Sequence, residues 1–377
     1  MESICSEVLH LCLQGEPCPT GLLDRALEVN GGREFLSVVV ERLGDLFEPR
    51  LCDIYADLFS QVVKRVAPEH TLRLRPPLMS RSVVPKAERV YVLSRVTLGA
   101  DVAVTSVLLD AAKRKYPAAE IVFVGPRKSY ELFETDSRLS YMAAPYARSG
   151  TLAERLKASA DLWLVDGLVI DPDTRLTQLG SISVCPEQNY LWFPSRSYGG
   201  EGNESLPALA ARWAEEVFGI SGAKPYVAPR RSADVPAEVT VSLGVGENAT
   251  KRRGDEFEHA LIQLLVATGA GVIVDQGGDA EERGRVERSL VPGVRTHSGS
   301  FASFASLISQ SKLYAGYDSA GGHVASACGI PLISIAKGFV SERMAARWRP
   351  NGTIIDGNAA DVLEQIRAAL STYTFRR

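Results

Sequence analysis

The residues richest in chemistry run from Tyr317 to Pro331, reading Tyr-Asp-Ser-Ala-Gly-Gly-His-Val-Ala-Ser-Ala-Cys-Gly-Ile-Pro. Side chains are small from Ser319 through Ala320 and Gly321 to Gly322, so a ligand can approach the backbone there. A strand-like run at residues 313–316 precedes them. A helix-like stretch follows and stops at Gly329-Ile330-Pro331. The first turn of such a helix offers unpaired N–H groups and the positive end of its dipole, which together suit a phosphate. The other reading of residues 319–322 is a tight packing turn with no ligand.

A phosphate cradle of this kind needs a sheet and a partner surface, and the chain is long enough for both. At 377 residues it exceeds one typical core, so two or more domains are expected. Hydrophobic residues make up 45% and charged residues 23%, an ordinary composition for a soluble chain. A net charge of −3 speaks against non-specific nucleic-acid binding, which needs a basic surface. No apolar run reaches the roughly 18 residues that span a bilayer. The opening Met1-Glu2-Ser3-Ile4-Cys5 lacks the basic start and apolar core of a signal peptide, so the expected location is the cytoplasm. A peripheral membrane contact stays open, although no basic amphipathic helix announces one. Six cysteines form no C-x-x-C pair and five histidines are scattered, which leaves no disulfide framework and no metal site to expect.

Residues 1–70 read as helical. Leu36, Val39, Val40 and Leu43 recur at helical spacing, as do Ile54, Leu58, Val62 and Val66. The segment carries no clustered chemistry and is expected to be a helical cap or an oligomerisation element. Acceptor or partner binding is the sharper alternative. From Lys86 a strand–helix rhythm begins, with strands expected at 89–94, 120–125 and 161–166 and a helix at 102–115. Residues 225–236 hold three prolines and read as a linker. The rhythm then restarts, with strands at 238–243, 271–275 and 332–336 and helices at 256–268, 303–311 and 359–370. Strands separated by helix-length stretches give βαβ units and parallel sheets. The expected organisation is a helical extension at 1–85, a Rossmann-like domain at 86–225 and a second at 226–377.

Three stretches resemble glycosyltransferase family 9, the heptosyltransferase-like enzymes of lipopolysaccharide assembly. Arg95-Val96-Thr97-Leu98-Gly99-Ala100-Asp101-Val102 is similar to the family's opening strand-loop, keeping its Arg-to-Asp spacing but placing Ala100 where Gly is usual. Gly244-Val245-Gly246-Glu247-Asn248-Ala249-Thr250-Lys251-Arg252-Arg253 is similar to the strand-end loop that closes on Lys-Arg-Trp, with Arg253 in the aromatic position. Residues 300–331 resemble the family's helix, strand and Asp-Ser/Thr-Gly-x-x-His signature, with Ala320 in place of Gly. Residues 171–180 also resemble a family segment. The resemblance spans residues 86–377. It implies an α/β GT-B fold, in which two Rossmann-like domains face a cleft, here with an N-terminal helical extension. It further implies a metal-independent, inverting sugar transfer with no cofactor.

On this resemblance Asp101 is the general base, and Lys251 with Thr250 meets the donor phosphates. Transfer requires that charge on the leaving diphosphate be stabilised, that the acceptor hydroxyl lose a proton, and that water be excluded. Residues 319–322 and the lysine charge serve the first need. Each residue also has a plainer reading. Asp101 is equally a helix N-cap. Lys251 is otherwise a solvated loop charge, and Arg252 is a second phosphate contact or a surface charge. Asp318 is structural or ribose-directed, and His323 is a site residue or a packed helix histidine. Glu281 makes donor contacts or answers a helix dipole. Arg175, Gln178 and Arg196 hold the acceptor or brace loops. Asp171-Pro172-Asp173 has the spacing of a metal couple but lies in the acceptor half.

The expected partners are a nucleoside-diphosphate sugar donor, ADP-heptose or similar, and a glycan or glycolipid acceptor. The alternative is a non-catalytic nucleotide-sugar-binding or scaffold protein that kept the fold. A nucleotide-sugar epimerase is a third reading.

Overall fold

The structure is a computed structural model that describes residues 3–68, 85–144, 146, 149–246 and 248–375. Five strands come first: β1 (Arg89–Leu93), β2 (Glu120–Gly125), β3 (Leu139–Ala143), β4 (Leu168–Asp171) and β5 (Tyr190–Trp192). They form one sheet in the order β3-β2-β1-β4-β5. Six more follow: β6 (Val239–Ser242), β7 (Val272–Asp275), β8 (Arg295–His297), β9 (Leu313–Tyr317), β10 (Leu332–Ala336) and β11 (Thr353–Asp356). Their order is β11-β10-β9-β6-β7-β8. Every pairing in both sheets is parallel. Central strands covered by helices on both faces read as apolar runs, and residues 90–93 and 313–317 are buried throughout. The expected two-sheet α/β arrangement of GT-B type is present.

Residues 3–68 are helical. Ser3 Oγ accepts from Ser6 N at 3.2 Å and starts the helix Ile4–Gln14, which Gly15 closes at φ 80°. Pro49 opens the helix Pro49–Val66, whose Leu51, Tyr55, Leu58, Phe59, Val62 and Val63 are buried. These residues share a core with Leu152, Leu156, Leu179 and Ile182, so the helices pack against the first sheet's domain. The boundary expected at residue 85 adjoins residues 69–84, which lie outside the described ones.

Some strand positions differ from expectation. Residues 161–166 form no strand. Trp163 and Val165 point into solvent, and the run borrows one ladder-like bond, Leu164 N to Val184 O at 2.8 Å. The strand begins at Leu168, where pairing with Val90 starts. Four short strands, β3, β5, β8 and β11, and the helix Glu342–Trp348 carried no sequence signal strong enough to see.

The helix expected from Val102 starts earlier, at Leu98, and runs to Lys115 through a π-type turn at Asp101–Thr105. Its first turns pack against the helix Ala320–Ala327 of the second domain. A Cβ on Gly99 would lie 3.1 Å from His323 Cδ2 and 3.4 Å from Ala320 Cα, so a bare backbone lets the two domains meet there. The segment at 225–236 has no regular structure and is tied to both sides. Ala228 N donates to Leu132 O at 2.7 Å, and Ser232 N donates to Ser306 Oγ at 3.2 Å.

Candidate active site

The strand orders fix where ligands fit. In the first sheet the chain leaves β1 in one direction to β2 and later returns on the other side at β4. In the second sheet β6 and β9 stand in the same relation. Loops at such switch points diverge to opposite faces and leave a crevice beyond the carboxyl ends of the strands. Both crevices open into one cleft of about 320 Å³. Arg95, Thr97 and Gly99 follow β1, and Asp173 and Arg175 follow β4. Lys251 follows β6, and Asp318, Ser319, Ala320 and His323 follow β9; all of these line the cleft.

On the second domain's wall, Lys251 Nζ donates to Asp318 Oδ2 at 2.6 Å and to Asp318 O at 3.1 Å. The ammonium also lies 5.4 Å from the Phe339 ring centre. Ser319 is the extended N-cap of the helix Ala320–Ala327, and its side chain makes no capping bond. Ser319 and Ala320 therefore present the first turn to the cleft, half-buried. Gly321 and Gly322 are buried and stand behind that wall, off the cleft's lining. A Cβ at Gly321 would meet Tyr314 Oη at 2.4 Å, so this glycine is explained by packing. His323 lines the cleft edge-on to Trp348, with centroids 5.8 Å apart, and burial pushes its pKa down, leaving it neutral at physiological pH.

Other expected donor residues lie elsewhere. Thr250 is exposed, and its hydroxyl donates to Asn248 Oδ1 at 2.5 Å. Glu281 is exposed in the first turn of the helix Ala280–Ser289, outside the cleft's lining. Arg252 is bound to the fully buried Glu258 at 2.7 Å and to Asp255 at 2.6 Å, which makes it a brace between loop and helix. Glu247 lies outside the described residues.

The first domain's wall is a network of buried charge. Asp173 accepts from Ser195 Oγ, Arg196 N and Arg196 Nη1, each at 3.1 Å. Burial works against the Arg196 charge, but Asp173 and Asp45 outweigh it and its pKa rises. Arg95 bonds Ser195 Oγ and lies 5.7 Å from the Trp348 ring centre. Burial, then Arg196, lowers its pKa to about 9, so it stays cationic. Arg175 pairs with Glu41 at 3.5 Å. Gln178 sits behind this wall at φ 48°, with its amide nitrogen buried and unpartnered and its carbonyl accepting from Tyr55 Oη at 3.2 Å.

Asp101, expected as the general base, is enclosed at the end of β1. Its side chain is fully buried and does not line the cleft. Oδ1 accepts from Arg95 N at 2.7 Å and from Thr105 Oγ1 at 2.8 Å, and Oδ2 accepts from Ser94 Oγ at 2.8 Å. In this arrangement the carboxylate is engaged by three internal donors. It is not the N-cap, a position Thr97 holds. It ties the end of β1 to the helix above. Asp171 is consumed in the same way by Thr177 Oγ1, Tyr190 Oη and Thr174 N.

Sequence reasoning passed over Glu41, Asp45 and Trp348, which line the cleft, and weighed Asp173 only as half of a metal couple. Glu41 and Asp45 are one turn apart on a short helix, a spacing shared by countless solvent-facing pairs. Nothing local marks them as facing a site.

No family model matches the sequence, and no curated protein matches it. Solved structures do match in fold. The E. coli heptosyltransferase WaaC with ADP-2-deoxy-2-fluoro heptose is 17% identical, at TM-score 0.54, over 74% of this chain and 99% of that one. E. coli ADP-heptose lps heptosyltransferase II is 16% identical, at TM-score 0.51, over 75% and 98%. A glycosyl transferase family 9 structure from Veillonella parvula DSM 2008 is 14% identical, at TM-score 0.52, over 75% and 91%.

Proposed function

We propose that this chain is a glycosyltransferase of the heptosyltransferase-like family 9, moving a sugar from a nucleoside diphosphate to a hydroxyl of a glycan or glycolipid. The observation that carries the reading is the pairing of two switch-point crevices across one cleft. One wall supplies a lysine and the first turn of a helix, and the other supplies arginines set in a carboxylate network. The solved structures of like fold bear names and ligands, ADP-2-deoxy-2-fluoro heptose among them, that accord with it.

The donor's diphosphate fits the second domain's wall. Asp318 oxygen holds Lys251 at 2.6 Å, and a phosphate oxygen of greater charge is able to take that place. The first turn of the helix Ala320–Ala327, whose Ser319 and Ala320 line the same cleft, adds neutral backbone donors. As the glycosidic bond breaks, charge grows on the departing diphosphate, and fixed donors of this kind stabilise the transition state more than the ground state. The basic wall formed by Arg95, Arg175 and Arg196 suits an acidic or polyhydroxylated acceptor. Single displacement across the cleft inverts the anomeric centre, and closure about residues 225–236 excludes water.

Burial of Asp101 favours a second reading, in which the chain binds a nucleotide sugar without turning it over. One experiment addresses both. Melting temperature is measured with ADP, GDP, UDP and dTDP, because a ligand that binds only the native state raises it. The transferase reading expects one nucleotide to stand out, and release of that nucleoside diphosphate from its sugar conjugates in the presence of oligosaccharide acceptors. A nucleotide response without release supports the binding-only reading. No response to any nucleotide removes both.

A further inference from the structure

A second cavity, of about 700 Å³, lies beside the cleft on the β10–β11 side of Asp318. It falls within the size range of small-molecule sites, roughly 300–1,000 Å³. It shares Asp318 and Phe339 with the cleft. Both of its walls are anchored. The loop after β10 is tied to the loop after β6, where Asn248 Nδ2 donates to Gly338 O at 3.2 Å and Lys337 Nζ donates to Arg252 O at 3.1 Å. The helix Glu342–Trp348 is tied to the first domain. Its fully buried Arg347 donates to Glu204 O at 2.7 Å and to Gly200 O at 3.0 Å, and Arg343 Nη1 donates to Phe47 O at 3.3 Å. The space between loop and helix is therefore held open by the fold itself.

The chemistry of the lining narrows the ligand. Ile333 and Ile335 join the core on one face of β10, so Ser334 and Ala336 face the other way and line the cavity. Ser334 is 1% exposed, and among the described residues its hydroxyl has no hydrogen-bond partner. Buried hydroxyls are normally paired, so one that lines a cavity marks where a ligand's polar atom fits. At the rim, Asp356 Oδ1 accepts from Asn358 N at 2.9 Å and from Asn358 Nδ2 at 3.1 Å. That leaves Asp356 Oδ2 and Asn358 Oδ1 as acceptors without a partner among the described residues. Phe339, Ala345, Ala346 and Ile354 add apolar surface. Carboxyl side chains (Asp318, Glu342 and Asp356) outnumber the basic Lys337 and Arg349, which disfavours a phosphate or another anion. A lipid tail would leave Ser334 unpaired. A neutral sugar suits the whole set. Its hydroxyls meet hydroxyl, carboxyl and amide groups, and its C–H faces lie against the ring and the alanines.

We propose that the cavity between the loop after β10 and the helix Glu342–Trp348 is a second saccharide subsite, which takes a neutral oligosaccharide segment. Its role rests on the transferase reading: the segment is the part of a glycan acceptor that lies beyond the reacting hydroxyl. Phe339 and Asp318 stand between the two spaces, so a chain seated in the cavity reaches the cleft past them. Acceptors longer than one sugar are then favoured over single sugars by contacts made away from the reacting end.

The test uses the full chain, with chitotriose and maltotriose as neutral probes and trigalacturonic acid as the acidic one. Affinity is read by isothermal titration in the wild type, in Ala346→Trp, which fills the cavity, and in Asn358→Ala, which removes a rim acceptor; neither residue lines the cleft. The melting temperature reports folding, and the exposed Asn358→Ala carries the test if the tryptophan variant does not fold. At least one neutral trisaccharide is expected to bind, about tenfold or more tighter than the acidic one. Ala346→Trp should weaken it at least about tenfold and Asn358→Ala about three- to tenfold, the range for one lost hydrogen bond. The nucleotide-induced melting shift stays at its wild-type value in both. No binding by either neutral sugar, equal or tighter binding of the acidic one, or wild-type affinity in either folded variant overturns the subsite. A second arm follows nucleoside diphosphate release from ADP-, GDP-, UDP- and dTDP-sugars with the bound trisaccharide as acceptor. The variants should raise the trisaccharide KM by the factors seen in binding and leave donor KM unchanged. An unchanged trisaccharide KM overturns the acceptor role. A wild-type chain that releases no nucleoside diphosphate removes the transferase reading and that role with it, while the titration decides the subsite by itself.

Discussion

Asp101 and Asp318 stand near the carboxyl ends of β1 and β9, facing the two switch points, and they have opposite surroundings. Asp101 is sealed among neutral donors, two hydroxyls and one backbone N–H. Asp318 is 7% exposed and faces a lysine across 2.6 Å at the mouth of a cleft. Hydrogen bonds from neutral groups inside the protein hold a carboxylate in place permanently. A cation at a cleft mouth is a partner that a second anion is able to claim. The same residue type therefore anchors a fold on one side and, on the proposed reading, marks a ligand position on the other, and the sequence neighbours of each give little sign of which.

Replacing Lys251 is the most severe way to break this contrast. Lys251→Ala removes the ammonium that stands beside the helix first turn on this wall. Turnover is expected to fall about 10²–10³-fold, the usual loss of a donor aimed at developing negative charge. The nucleotide-induced melting shift should shrink with it. Release of nucleoside diphosphate at the wild-type rate would place the diphosphate elsewhere. Asp101→Ala tests the other side. It orphans Ser94 Oγ, Arg95 N and Thr105 Oγ1 within a buried pocket. A loss of about 3 kcal/mol in urea denaturation is expected, with the nucleotide shift retained in the protein that remains folded. An Asp101→Ala chain of normal stability would show that the carboxylate does not brace β1.

The sheets were legible because their central strands, β1, β2, β6, β7, β9 and β10, are apolar runs that turn residues bound at both ends. Short edge strands such as β8, reading Arg-Thr-His, hold too few residues for any period to show. The run at 161–166 misled because Leu162 and Leu164 are buried in alternation with exposed Trp163 and Val165, the signature of a half-buried strand, yet its bond from Leu164 N to Val184 O does not extend into a paired strand. In the site, Lys251 and Asp318 were readable from motif spacing. Asp45 was not, since its place on the cleft goes with a packing contact between residues 47 and 348, about three hundred positions apart. Gly321 was visible as a small residue, but the reason lies in Tyr314, which only the folded chain brings beneath it.

That last point separates two adjacent glycines on the donor wall. A Cβ at Gly321 would press to 2.4 Å on the Tyr314 hydroxyl, whereas one at Gly322 would sit 3.9 Å from Pro350 and Tyr314. Gly321→Ala is expected to destabilise by about 1–3 kcal/mol through overpacking. Gly322→Ala should change stability by under about 0.5 kcal/mol or raise it slightly, since alanine favours the helix. Equal denaturation midpoints for the two variants would mean that the wall yields and that neither glycine is fixed by packing.

Asp275, at the end of β7, supplies the case between Asp101 and Asp318. Burial raises its pKa from 3.8 to about 6; Glu282 adds to this, while His297 and the Gly277 amide oppose it without restoring the ordinary value. The folded state therefore holds this proton more tightly than the unfolded chain does. Stability contributed by the protonated form is present below about pH 4 and is lost as pH rises through about 6. A shift of this size corresponds to a ceiling of about 3 kcal/mol, and its partial exposure reduces that to about 1–2 kcal/mol. Asp275→Asn removes the titration, so the variant should gain on the wild type between pH 4.5 and 7.5 by that amount in urea denaturation. A difference that stays constant across the range would show that Asp275 ionises in the fold as easily as in water. It would then stand apart from Asp101, whose carboxyl pKa burial also pushes up.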